Sequence, residues 1–317
     1  LHSTFGCLPD SFSIRMVYGI MDVRGVLWMR ACPVIGGIII AVLLVSVVYA
    51  SVSPLIPQPV IPTPEEEKPK VTTEYTLTSV DLPTVDKVEL NLRIKAGGIN
   101  INFTGNRNLI YELVFKQDED TPLPSVSYTE SDGKLFVNIS AESGDLKATF
   151  GNNYIYNGMI ELGVGGMSAT LSEYANIDML DLTVKYAGGV SVEVLNGSSF
   201  SQLNLKVNTG GIMLKVDANT LGKSGSISGE VRVGGIIVQP ISVGENIGFK
   251  LNALADIGGI TLNPAGFDVI KQTVTECEIK TLDYAEAPIK LEVNISTGLG
   301  GTMINQPFFG FPRGFPT

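Results

Sequence analysis

Leu203 to Lys215 reads LNLKVNTGGIMLK, two alternating arms on either side of a glycine pair. Leu203, Leu205 and Val207 alternate with polar residues before the glycines, and Ile212 and Leu214 resume the pattern after them. A period of two puts every second side chain on one face, so each arm predicts a strand with one buried side. Glycine suits the corner between arms because it tolerates positive φ and lets a neighbouring chain approach closely.

The stretch recurs. AGGINI, ESGDLKA, VGGMSA, AGGVSV, TGGIML, VGGIIV and IGGITL place the marker glycine at Gly98, Gly144, Gly166, Gly189, Gly211, Gly235 and Gly259. From Gly144 onward the gaps are 22, 23, 22, 24 and 24 residues, and Gly98 to Gly144 is 46, two periods. A weaker copy, STGLGG ending at Gly301, follows about two periods later. The columns agree as well. Ile99, Met167, Val190, Ile212, Ile236 and Ile260 follow the glycine directly, and Ile101, Ala169, Val192, Leu214, Val238 and Leu262 come two residues after those.

One such unit cannot bury its apolar side alone, whereas stacked units share a core. The expected fold is therefore all-β, a glycine-punctuated β-solenoid with rungs of about 22–24 residues, and with Gly98, Gly166, Gly189, Gly211, Gly235 and Gly259 as structural turn glycines. An ordinary β-sandwich with glycines in its turns would explain the alternation but not a steady period with matched columns.

The strand-Gly-Gly-strand rungs, with the AGGIN of Ala96 to Asn100, resemble the adhesin head domains called GIN domains. They also resemble the related toastrack domains found behind membrane anchors in envelope-stress proteins. Ile160 to Leu171, IELGVGGMSATL, is similar to the opening strand of the latter. The resemblance runs from about Val88 to Asn305. It implies a right-handed stacked β-fold, surface exposure and no assigned catalytic residues.

Ahead of the repeat, Pro33 to Ala50 is an uncharged apolar run of 18 residues. As a helix it measures ~27 Å, close to the hydrocarbon thickness of a bilayer. Arg24 and Arg30 precede it and Glu65 to Glu67 lie beyond, which orients the N-terminus to the cytoplasm and exports the rest. Two readings stay open: a permanent anchor, which the length favours, and a signal peptide cleaved after Ala50. Residues 1–32 form a short cytoplasmic segment without clear periodicity, and Met16, Met21 and Met29 are alternative starts. Residues 51–70 hold six prolines in twenty, an extended spacer. The exported domain is then 71–304, followed by a Phe/Pro/Gly-rich tail, 305–317.

Charge narrows the function. Acidic residues outnumber basic ones 32 to 22, and the whole of the excess falls after Ala50. Such a surface repels phosphate backbones, so nucleic acid is not an expected partner. His2 is the sole histidine and precedes the membrane run, so the exported part lacks a histidine base or ligand. Cys277 stands between Glu276 and Glu278, neighbours that raise a thiol pKa. A carbohydrate-active β-helix would need acids converging from adjacent rungs. The outward column Glu193, Lys215, Gln239, Asn263 holds one acid, and Arg232 with Asp256 promises only a surface ion pair across rungs. The acidic run Gln117 to Asp120 lacks the ligand spacing and internal glycine of an EF-hand loop. No metal or cofactor is expected.

Four sequons begin at Asn102, Asn138, Asn196 and Asn294, and Asn196, in a turn, is the favoured glycan acceptor. The tail aromatics Phe308, Phe309, Phe311 and Phe315 suit a cap over the last rung or a contact strip for another subunit. The functional expectation is a non-enzymatic, single-pass cell-surface protein for adhesion or envelope assembly. Its partners would be the membrane through residues 33–50 and another copy, surface protein or glycan. The alternatives are a membrane-anchored envelope-stress or signalling accessory and, third, a carbohydrate-active enzyme.

Overall fold

The glycine pairs do not separate strands; they bend them. A computed structural model describes residues 69–82, 84–239 and 241–306. These residues are all-β, and eight of their strands are long: β2 (Lys87–Phe103), β5 (Lys134–Phe150), β6 (Ile155–Leu171), β7 (Asn176–Leu195), β8 (Ser199–Ala218), β9 (Gly225–Val238), β11 (Ile247–Leu262) and β14 (Ile289–Ile304). Each carries its marker glycine inside one continuous strand. In β8, Leu203, Leu205 and Val207 are buried before the bend and Ile212, Leu214 and Val216 after it. The buried parity therefore changes from odd to even across the bend, and both arms feed one apolar cluster. Each fully buried aliphatic side chain contributes about 1.5–3 kcal/mol, so the two-armed strand is anchored on both sides of its corner.

The eight strands run parallel in the order β5-β2-β6-β7-β8-β9-β14-β11. Their bends are in register: Gly144, Gly97, Gly165, Gly188, Gly210, Gly234, Gly300 and Gly258 form one column. Positive φ falls on this column, +134° at Gly210 for example, one residue before the glycines that mark the sequence period, except in β5, where the lone Gly144 is both. The second glycines, Gly98, Gly166, Gly189, Gly211, Gly235 and Gly259, make a separate column beside it.

Strand order departs from chain order at both ends. β2 lies between β5 and β6, so the 46-residue gap after Gly98 is not two turns of a climbing coil. The residues between them form β3 (Leu109–Asp118) and β4 (Ser125–Ser131), which pair antiparallel with the two arms of β5. β14 likewise sits between β9 and β11 instead of beyond them. β13 (Glu276–Lys280) covers β11, and β1 (Lys70–Thr78) and β12 (Asp268–Gln272) are the outermost strands. The two-residue β10 (Ser242–Val243) pairs with β8.

Aromatic packing fills the β5 end. Phe150 stands 5.0 Å from Tyr156 and 5.7 Å from Phe103, centroid to centroid. The buried Tyr156 hydroxyl donates to the Ile110 carbonyl at 2.8 Å, which binds β3 to this cluster.

The apolar run 33–50, the spacer up to residue 68, His2 and the tail phenylalanines lie outside the described residues.

Candidate functional site

The second-glycine column leaves a strip of backbone without side chains along the stack. Gly98, Gly166, Gly189, Gly211 and Gly235 floor an open trough of about 1190 Å³. At ~4.8 Å per strand, the six positions from Asp145 to Gly235 span roughly 24 Å. One wall is the next outward column: Lys147, Asn100, Ser168, Ser191, Met213 and Ile237, in register. It grades from polar to apolar. Asn100 donates to Ser168 Oγ at 3.0 Å near one end, and Met213 is 38% exposed near the other. Lys116 from β3 and Asp145 from β5 close the polar end. The trough offers shape, apolar contact and bare peptide groups along a line.

The outer face of the other arm carries a polar ladder. Asn138, Asn91, Met159, Asp181, Asn204, Ser228, Asn294 and Asn252 are level on successive strands. Asn91 donates to Asn138 Oδ1 at 3.0 Å, and Asn252 to Asn294 Oδ1 at 2.8 Å. Two sequon asparagines are thus rungs of this ladder, exposed but bonded. Asn196 is exposed in its turn, and its Oδ1 accepts the Asn219 backbone N–H at 2.5 Å. Asn102 is half-buried and donates to Asn100 Oδ1.

Charged side chains pair along the strands rather than converge. Lys215 and Glu193 are in register and bonded, which raises the lysine pKa. Arg232 and Asp256 do not become neighbours. β14 lies between their strands and puts Gly298 at their level, because the C-terminal copy is inserted instead of appended. Gln117, in the acidic run, is buried, and its amide ties down the following turn. Among the described residues no group of three or more His, Cys, Asp or Glu stands close enough to hold a metal ion. Cys277 is buried and its thiol pKa is raised, but by burial instead of the flanking acids. Those acids are engaged: Glu276 with Lys271, and Glu278 with Lys250.

Sequence reasoning missed Asn305, taken there as the start of the tail. It sits at φ +53°, accepts the Ile241 N–H, and donates to the Asn263 and Ala265 carbonyls. A lone asparagine after a strand is a weak signal, readable only as a residue tolerant of the left-handed region.

No protein-family profile and no curated protein matches the chain by sequence. Among solved structures the chain is similar to a "putative cell adhesion protein" of Clostridium sporogenes, 18% identical, covering 75% of this chain and 100% of that one, with a TM-score of 0.49. A "putative adhesin" of Bacteroides fragilis is 12% identical over 75% of this chain and 98% of that one, with a TM-score of 0.29. A further "putative adhesin", of Parabacteroides distasonis, is 8% identical over the same shares, with a TM-score of 0.20.

Proposed function

We propose that this chain is a non-enzymatic, membrane-anchored surface protein that presents a β-solenoid for adhesion. In this reading the apolar run 33–50 is the anchor, the N-terminus is cytoplasmic, and the proline spacer lifts the exported domain from the membrane. The in-register bends are the solenoid's corners, with the terminal turns exchanged into the stack.

The observation that carries the reading is the glycine-floored trough. A catalytic cleft concentrates titratable groups at one point, whereas this trough spreads weak contacts along a line. An extended polypeptide of a neighbouring surface protein, another copy included, fits it. Bare backbone gives close approach, and Met213 and Ile237 give apolar contact.

The test is aggregation of cells displaying the full chain, alone or mixed with undecorated cells. Replacing Met213 and Ile237 by glutamate is expected to reduce aggregation several-fold at equal surface display. Unchanged aggregation would remove the trough, and with it the adhesive reading.

A further inference from the structure

β7 holds one residue more than the strands on either side. Leu162 pairs with Val184 and Val164 with Ala187, while Val184 pairs with Val207 and Ala187 with Thr209. Lys185 and Tyr186 thus share the level that Gly163 and Asn208 each fill alone. A bulge re-aims side chains, and bulges concentrate at functional sites. Here it turns Tyr186 outward, 65% exposed, beside the bare backbone of Gly163.

A cleft of about 500 Å³ lies there, with a roof held in place. The buried Gln117 amide donates to the Thr121 and Pro122 carbonyls at 3.0 and 3.2 Å. The Tyr75 hydroxyl donates to the Pro124 carbonyl at 2.9 Å. Leu123, between these clamps, borders the cleft and is 67% exposed. A large apolar side chain held in water by fixed backbone on both sides is pre-organised for contact, and pre-organisation lowers the entropy cost of binding.

Ile94, Pro122 and Ala141 extend the apolar lining, and five charged side chains complete it with Ser125 and Ser140. Lys95 binds Glu142 at 2.6 Å and Lys185 binds Glu161 at 2.9 Å. Arg93, level with Ser140 and Glu161, makes no ion pair among the described residues. Three cations against two carboxylates leave one positive charge, on the residue whose planar fork suits a carboxylate.

We propose that this cleft is a binding subsite for a carboxylated sugar residue. The apolar face of the ring packs on Tyr186 beneath Leu123, and its carboxylate pairs with Arg93. Sugar hydroxyls both donate and accept, and the paired Lys and Glu side chains supply both kinds of partner. The subsite borders the arms before the bend, whereas the trough follows the arms after it, so it stands independently of the adhesive reading.

The experiment is calorimetric titration of the purified full chain with a trimer of galacturonic acid and with neutral galactotriose. The acidic trimer is expected to bind at least tenfold more tightly. Arg93→Gln should abolish that preference while leaving the neutral trimer unchanged, and Tyr186→Ala should weaken both at least tenfold. Both residues are exposed, and an unchanged melting temperature verifies that each variant is folded. Equal affinity for the two trimers, binding of neither, or unaltered binding by Tyr186→Ala overturns the assignment.

Discussion

Gly210 lies so close to Gly188 that a β-carbon on Gly210 would stand 1.7 Å from the Gly188 carbonyl oxygen. The relation repeats along the column, from Gly97 against Gly144 to Gly258 against Gly300. Space and φ thus impose the same residue. Gly210→Ala is expected to cost about 3 kcal/mol or more, combining the left-handed penalty with forced separation of two strands. Gly211→Ala puts its β-carbon 3.2 Å from the Gly235 oxygen, without positive φ, and should cost under about 1 kcal/mol. Urea unfolding of the two variants measures the difference; equal losses would contradict the column's role.

Thr297 and Thr302 flank the bend of β14, and their buried hydroxyls are bonded at 2.9 Å. Thr297→Val strands the Thr302 hydroxyl and should cost about 1–3 kcal/mol. The double valine variant removes both polar groups and should recover most of that loss. A double-mutant cycle reads the coupling. Additive losses would mean that each hydroxyl has another partner.

Asn305 fastens the end of β14 to two loops from a left-handed backbone. Alanine there loses three side-chain hydrogen bonds and the tolerance of that φ, an expected cost of about 2–4 kcal/mol. Asn305→Gly keeps the backbone conformation and should cost less. Hydrogen exchange at Ile241 and Val243 should rise in both variants. An unchanged rate would show that the loop is held elsewhere.

Stability should fall at alkaline pH. Burial raises the Cys277 thiol, and it raises Tyr111 to about 12, with the Tyr128 charge adding to it. Tyr284 is also pushed to about 12, by burial first and then by its bond to Glu292. Unfolded thiols and phenols ionise near about 8.5 and 10, so above those values the unfolded chain binds fewer protons than the folded one. The stabilisation present below about pH 8.5 is then lost progressively toward pH 12. Urea midpoints at pH 7, 9 and 11 should decrease in that order, and a rise between 9 and 11 would contradict the assignment.

The bends were legible in sequence because the backbone there admits one residue type whatever the neighbours. The alternation was legible because burial selects it. Strand order was not, since parallel arms of valine and isoleucine carry no label for their neighbours. That is why Arg232 and Asp256 looked adjacent while Gly298 stands between them. Among site features, the glycine floor was visible as a column, but its trough needed the register that aligns Asn100, Ser191 and Ile237. The β7 bulge was visible only as a gap of 23 residues beside gaps of 22. Gln117 opens an acidic run that carries no sign of burial in sequence; its burial depends on β3 returning over β5.

The place of β14 bears on how the chain is made. β9 and β11 are both synthesised before it, yet neither has its final neighbour until residues 289–304 arrive. A nascent chain must therefore keep two strand edges apart and unsatisfied, then join them with a segment made after both. Long-range insertion of this kind is slow, and the waiting edges invite pairing with other chains. A product cut short before Ile289 cannot pass as a shorter version of the whole: it is left with an open seam, recognisable to the machinery that removes unfinished proteins.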